Sequence, residues 1–185
     1  MAPKASAIFP PELPEEDRLA PCEPAVLAAG ETYDALRVSG DQIEAKLAGL
    51  SIAQSRLDQV SWRKAQLPNL ALRDVVVSAS DFSNARLLGG QFRQTFGIGS
   101  KWIGADFSES NWQHVVFQKC QLSYSFWRGA RLRNCRFEQC EFEEADFDQA
   151  RFESVAWVDC RLRRSRFFGV RFDDVTISRC DLAEV

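Results

Sequence analysis

Large apolar residues recur every five positions along most of this chain, and the stretch Cys135–Val155 shows the period without interruption. With Phe137, Phe142, Phe147 and Phe152 setting the phase, the register runs from Leu47 to Leu182 and gives 28 centres. Ten are Phe, nine Leu, five Trp and two Ile; Val77 and Gly97 complete the set, and every Trp of the chain falls in it. Two residues before the centre the side chain is Ala, Ser, Cys, Val, Thr or Gly in 26 of 28 repeats, Leu50 and Leu70 being the exceptions. The other three positions are mostly polar. Apolar spacings that alternate between two and three fit neither the helical period nor the sustained alternation of a strand. A chain that points a large side chain inward, bends and repeats every five residues is coiling, and such short repeats are stabilised by stacking on their neighbours. The pattern predicts an all-β solenoid with a column of stacked side chains inside.

The small–x–large–x–x pentads of residues 43–185 resemble those of the pentapeptide repeat family. The resemblance implies a right-handed quadrilateral β-helix with four pentads per coil, the centre and minus-two residues pointing inward. On that geometry 28 centres make about seven coils, and a spacing of about 4.8 Å between stacked strands gives a rod about 34 Å long. Residues twenty apart are then expected to stack. Charges follow that period: Glu141, Glu143 and Glu144 precede Arg161, Arg163 and Arg164 by one coil, Asp146 precedes Arg166, Arg128 precedes Asp148, and Arg133 precedes Glu153.

Three segments are expected. Residues 1–24 hold six of the seven prolines and read as a flexible, acidic tail. Residues 25–42, anchored by Val26, Leu27, Tyr33, Leu36 and Val38, read as a cap on the first coil, and 43–185 as the solenoid. The net charge of −3 belongs to the tail: residues 1–31 carry six acids against Lys4 and Arg18, whereas 32–185 carry 20 acids and 21 bases. No apolar run has the length of a signal peptide core or a membrane span, so a cytoplasmic protein without membrane contact is expected. After the last centre, Leu182, come only Ala183, Glu184 and Val185. Ile177, Leu182 and Val185 are therefore candidates for an open edge that pairs with a second copy in a homodimer, a monomer with a frayed end being the alternative.

Candidate chemistry is sparse. Five of six cysteines sit at minus two, and Cys120, Cys140, Cys160 and Cys180 form one inward column. Parallel stacking suits neither the disulfide torsion nor zinc-ligand spacing, so free thiols are expected. His114 falls at an outward position and reads as a solvated surface residue. The acids between Glu138 and Asp148 are explained by stacked arginines better than by a metal or an acid/base pair. With no phosphate loop and no nucleophile elbow, no catalytic, cofactor or metal site is expected. Two surface features remain. Arg131, Arg151 and Arg171 form a like-charged column that either meets phosphate or an acidic protein surface or is neutralised by Glu153, Asp173 and Asp174. At Gln94–Ser100 a glycine, Gly97, takes a centre, so either Phe96 swings inward or Val76, Phe96 and Val116, with Ile98, form an apolar interaction face. Tyr124, Phe126 and Phe168 also fall outward.

The expected function is a non-enzymatic protein-binding solenoid without cofactor. Phe centres with Cys at minus two look like those of family members that bind DNA gyrase. The resemblance implies a rod-shaped DNA mimic, dimeric through its C-terminal end, that modulates a type II topoisomerase and confers fluoroquinolone resistance without itself contacting nucleic acid. This chain departs from that pattern in having no C-terminal helix, no large loop insertion and no net acidity in the solenoid. The alternative is a general interaction or structural scaffold with another cytoplasmic partner. A continuous acidic strip would favour mimicry, and a patchwork with an apolar face would favour the scaffold.

Overall fold

A computed structural model describes residues 8–185. Twelve strands form one sheet in which every pairing is parallel: β1 (Ala20–Cys22), β2 (Thr32–Asp34), β3 (Leu36–Asp41), β4 (Ser51–Ser61), β5 (Ala71–Ser78), β6 (Gln91–Ile98), β7 (Asn111–Gln113), β8 (Val116–Gln118), β9 (Arg131–Glu138), β10 (Arg151–Val158), β11 (Arg171–Asp173) and β12 (Thr176–Ser178). From β4 onward each residue pairs with the one twenty further on, as in Leu72↔Phe92 and Phe152↔Phe172. The chain is a four-sided β-solenoid of about eight turns. Among the described residues there is no α-helix, only the short 3-10 turns Glu16–Arg18 and Pro24–Val26.

The bend every five residues has one backbone cause. From Gly49 to Glu184, the residue two after each centre is left-handed, with φ between +44° and +70°. For an L-residue with a Cβ this conformation is unfavourable, and glycine, asparagine and aspartate adopt it most readily. On two sides of the solenoid the corner is closed by a turn bond: Ala65 N–H donates to Trp62 O at 3.2 Å, and on the neighbouring side Leu70 N–H to Leu67 O at 3.1 Å. A positive φ at the third residue of such a turn is what a type II turn requires. The other two sides carry the longer strands.

The centres and minus-two residues fill the interior. Every centre from Leu47 to Leu162 is buried. Aromatic rings from successive coils stack along the axis, with Phe82 on Trp102 at 4.0 Å and Phe92 on Trp112 at 4.2 Å between ring centroids. Such pairs add about 0.5–1.5 kcal/mol beyond the area they bury. Ser110 and Ser125, both at minus two, accept bonds from the indole nitrogens of Trp112 and Trp127 at 2.7 Å.

One turn lies upstream of the five-residue register. β1 pairs with β3 at an offset of sixteen (Ala20↔Leu36), and β2 with β4 at an offset of nineteen (Thr32↔Ser51). β3 joins β4 at nineteen and shifts to twenty between Val38 and Gly40. Residues 20–42 therefore add a coil to the seven expected from the centres. Ahead of it, Glu16 reaches Arg37 and Arg56 at 3.5 and 3.6 Å, and Glu12 N–H donates to Asp74 Oδ1 at 3.2 Å. At the far end the core opens. Phe172, Ile177 and Leu182 are 52%, 42% and 43% exposed, whereas Phe152, Trp157 and Leu162, one coil earlier, are sealed.

Candidate functional site

Two of the four sides carry the surface groups that stand out from the sequence. On the first, the residues flanking the centres Leu72, Phe92, Trp112, Leu132, Phe152 and Phe172 point outward. The register stacks Arg131, Arg151 and Arg171 on adjacent strands, as the period of twenty predicts. Arg73, Arg93 and Arg133 stand in the companion column, interrupted by Gln113. All of these except Arg171, which stands beyond its end, line a shallow groove of 630 Å³. Neutralisation by neighbouring acids is only partial. Arg133 binds Glu153 at 2.8 Å and Arg73 approaches Asp74 at 3.9 Å, but Arg93, Arg131, Arg151 and Arg171 form no ion pair among the described residues.

The second side carries Val76, Phe96 and Val116, which pair in register on β5, β6 and β8, with Ile98 beside them. Phe96 stays outward and half-buried, so it does not replace the missing Gly97 side chain. The Phe117 ring of the next coil takes that space, lying 2.7 Å from where a Cβ on Gly97 would be. Nor is the apolar column bare. Ile8, Phe9, Pro10 and Pro11 share a 360 Å³ groove with Thr95, Phe96, His114, Val116 and Arg136, and the Phe9 ring meets the His114 ring edge-on at 4.8 Å. His114 is accordingly half-buried and not the solvated residue expected, because a stretch of chain assigned to the tail lies over it. Tyr124, Phe126 and Phe168 are exposed, in agreement with their outward phase.

The acids between Glu138 and Asp148 lie against arginines, with one geometric correction. Glu141 and Arg161 pair at 2.8 Å across twenty residues, but Arg163 turns to Asp181 at 3.8 Å while Arg164 takes both Glu143 and Glu144. Arg128 binds Asp146 at 3.0 Å and Arg166 binds Asp148 at 2.5 Å, offsets of eighteen and not the expected twenty. The cause lies in the aspartates, which serve the backbone as well. Asp146 Oδ1 accepts the N–H of Asp148 at 2.9 Å, and Asp148 Oδ1 accepts that of Phe168 at 3.0 Å. The remaining oxygen of each faces an arginine on the opposite flank of the turn. Asp81, Asp106 and Asp181 hold the same self-turn with residues 83, 108 and 183, a local closure typical of aspartate that the sequence reading missed.

All six cysteines are free thiols. Cys120, Cys140, Cys160 and Cys180 continue the column begun by Ser80 and Ser100 and make the same bond, donating to the carbonyl two residues back; Cys140 Sγ to Glu138 O is 3.3 Å and Ser100 Oγ to Ile98 O is 3.1 Å. Their role is to fill a corner and satisfy a strand-end carbonyl. Among the described residues no group of three or more His, Cys, Asp or Glu is placed to hold a metal ion, and no helix is long and apolar enough to cross a membrane.

Burial pushes the Cys135 thiol up to about 12. A thiol whose folded-state value is raised contributes stability that is complete below the unfolded value near 8.5 and is lost as pH rises toward the folded one. Cys135 is therefore expected to account for about 2 kcal/mol of the stability lost between pH 8 and pH 10 in urea denaturation, so that the drop is smaller by that amount in Cys135→Ala; Cys140, likewise raised by burial, adds to the drop in both proteins. An equal drop in that variant would assign the alkaline loss elsewhere.

The five-residue phase seen in the sequence thus corresponds to a five-residue corner in the backbone, and residues 110–185 match the family model described as a pentapeptide repeat region. Residues 110–185 belong to the pentapeptide repeat family. No curated protein matches the chain in sequence. Solved structures similar to this solenoid include full-length QnrB1, a plasmid-mediated fluoroquinolone resistance protein, at 18% identity over 85% of this chain and 88% of that one, TM-score 0.40. HetL, a pentapeptide repeat protein involved in heterocyst differentiation regulation from the cyanobacterium Nostoc sp. strain PCC 7120, is similar at 14% identity over 85% and 90%, TM-score 0.37. Rfr23 from the cyanobacterium Cyanothece 51142 is similar at 10% identity over 88% and 90%, TM-score 0.36.

Proposed function

We propose that this pentapeptide repeat protein is a non-catalytic, protein-binding solenoid acting in the cytoplasm. What carries the reading is where the unpartnered groups lie. Stacked side chains close the interior from Leu47 to Leu162, while four arginines without ion pairs among the described residues face outward and the apolar residues of the last coil are exposed at the open end of the rod. A surface of that kind recognises macromolecules and does not enclose a small substrate.

The most specific partner is DNA gyrase or another type II topoisomerase, whose activity or drug sensitivity the protein would modulate. Support comes from the Phe centres and the minus-two cysteine column, which look like those of gyrase-binding family members. The charges argue for contact through a patchwork and against duplex mimicry. A mimic needs a field of one sign, whereas Glu141, Glu143, Glu144, Asp146 and Asp148 each take an arginine. That patchwork also favours the second reading, a scaffold for a different cytoplasmic protein. Gyrase-catalysed supercoiling, run with rising protein concentration with and without a fluoroquinolone, decides between them. Inhibition or drug protection at micromolar or lower concentration is expected, and no effect across that range leaves the scaffold.

The apolar end at Phe172, Ile177, Leu182 and Val185 is proposed to pair with a second copy of the chain. Light scattering at tens of micromolar is expected to give the mass of two chains, falling to one in the double variant Ile177→Asp/Leu182→Asp. A single-chain mass for the unmodified protein rejects the dimer.

A further inference from the structure

We propose that the arginine-lined side of the solenoid binds an extended, carboxylate-rich protein segment. The inference rests on the protein-binding reading above but not on the partner being a topoisomerase.

Stacking on β9, β10 and β11 holds Arg131, Arg151 and Arg171 at successive coil positions, about 4.8 Å apart. None of the three forms an ion pair among the described residues, and nor does Arg93 in the companion column. Like charges fixed this close repel, so an anion laid across them gains from all three. The shape specifies the anion further. Arg131 and Arg133 flank Leu132 and point to the same side, two residues apart, so the columns are separated by about 6.6 Å. An extended peptide repeats its side chains on one face at the same distance. A segment running parallel to the strands can therefore set carboxylates at i and i+2 over Arg131 and Arg133, the level at which both columns hold arginine. Beside Arg151 and Arg171 the companion column holds Glu153 and Asp173, so there only the carboxylate at i meets an arginine. Each guanidinium offers a planar fork that matches a carboxylate. Gln91, Asn111 and Gln113 occupy the same columns on the neighbouring coils and supply donors and acceptors for the peptide groups.

Charge also selects against a phosphate polymer. The solenoid is near neutral, with 20 acids against 21 bases in residues 32–185, and Asp74, Glu153, Asp173 and Asp174 stand on this side among the arginines. Nucleic-acid footprints are strongly basic stripes on basic domains. A peptide needs only local complementarity, and the acids at the rim fix its direction by accepting from its amides or lysines.

The test uses the full chain and a fluorescein-labelled decapeptide of alternating Glu and Ser, read by fluorescence anisotropy at about 0.1 M salt. Saturable binding is expected, weakened at least about tenfold in the triple variant Arg131→Gln/Arg151→Gln/Arg171→Gln. Arg161→Gln should bind as the unmodified protein does, because that guanidinium is held by Glu141 on another side of the rod. All four positions are exposed, and a thermal melt confirms that each variant is folded. A block peptide of five Glu followed by five Ser should bind more weakly than the alternating one. Absence of saturable peptide binding, or equal affinity in the triple variant, overturns the proposal. So does single-stranded or duplex DNA binding as tightly as the peptide, which would make the face a phosphate site. Peptide binding with no effect on gyrase removes the topoisomerase reading and leaves this one. A gyrase effect that survives the triple variant, with no peptide binding, does the reverse.

Discussion

Gly97→Leu is expected to lower the stability of the protein by about 3 kcal/mol, even though leucine restores the repeat that the glycine interrupts. A Cβ at position 97 would lie 2.7 Å from Cδ1 and Cε1 of Phe117, closer than any ordinary contact. That ring has nowhere to withdraw. It is fully buried, with Trp112 at 5.4 Å, Trp102 at 5.5 Å and Phe137 at 6.2 Å. The usual gain from replacing a strand glycine, about 0.5–1 kcal/mol of chain entropy, is too small to offset the overlap. Phe117→Ala vacates the space and should recover most of the loss when combined with Gly97→Leu, although alone it costs about 3–5 kcal/mol. Urea denaturation of the two single variants and the double one measures the coupling. Stability within about 0.5 kcal/mol of the unmodified protein for Gly97→Leu would mean that Phe117 does not sit over the glycine.

The Gly97 site also shows what a repeat can and cannot reveal. Its place in the register was legible, and so was the outward stacking of Val76, Phe96 and Val116, because both follow from periods of five and twenty. The solution to the missing side chain was not, since it depends on the ring orientation one coil away. The arginine column was legible for the same reason as the apolar one. The ion pairs across eighteen residues were hidden because Arg128 and Arg166 lean across a centre toward aspartates already committed to the backbone. Only six of the left-handed corners are glycine, at 49, 89, 99, 104, 129 and 169, and stacking overrides local preference at residues as unfavourable as Tyr124 and Arg164. A regular enrichment of Gly, Asn and Asp two places after the centre, as at Asn69, Asp74 and Asn84, was the available signal. Upstream of residue 43 the offsets of sixteen and nineteen break the period, so a coil there reads as a cap. The packing of Ile8, Phe9, Pro10 and Pro11 beside Phe96 and His114 leaves no periodic trace, because an irregular segment is placed by the surface it meets.

Trp127→Ala is expected to cost about 4 kcal/mol and to weaken the cooperativity of unfolding. Trp127 is the hub of the aromatic interior, with ring centroids of Phe107, Trp112 and Phe147 at 4.4, 4.9 and 5.7 Å and those of Phe137 and Phe142 slightly beyond 6 Å. These neighbours come from the coil below, its own coil and the coil above, so the cavity would cut the stack where coils meet. In a solenoid each coil is stabilised by its two neighbours, and a weakened interface near the middle lets the halves unfold at different denaturant concentrations. The expected signature is a broader urea transition with a smaller m-value, in addition to a lower midpoint. Trp127→Phe separates the packing from the hydrogen bond. It keeps a ring in the stack but removes the donor to Ser125 Oγ, and Ser125 still donates to Leu122 O, so a loss of about 1 kcal/mol is expected. Trp157→Phe is the matching control, because the Trp157 indole nitrogen has no hydrogen-bond partner among the described residues and its loss removes no bond. A Trp127→Ala transition as sharp as that of the unmodified protein would show that the rod unfolds as one unit despite its repeating construction.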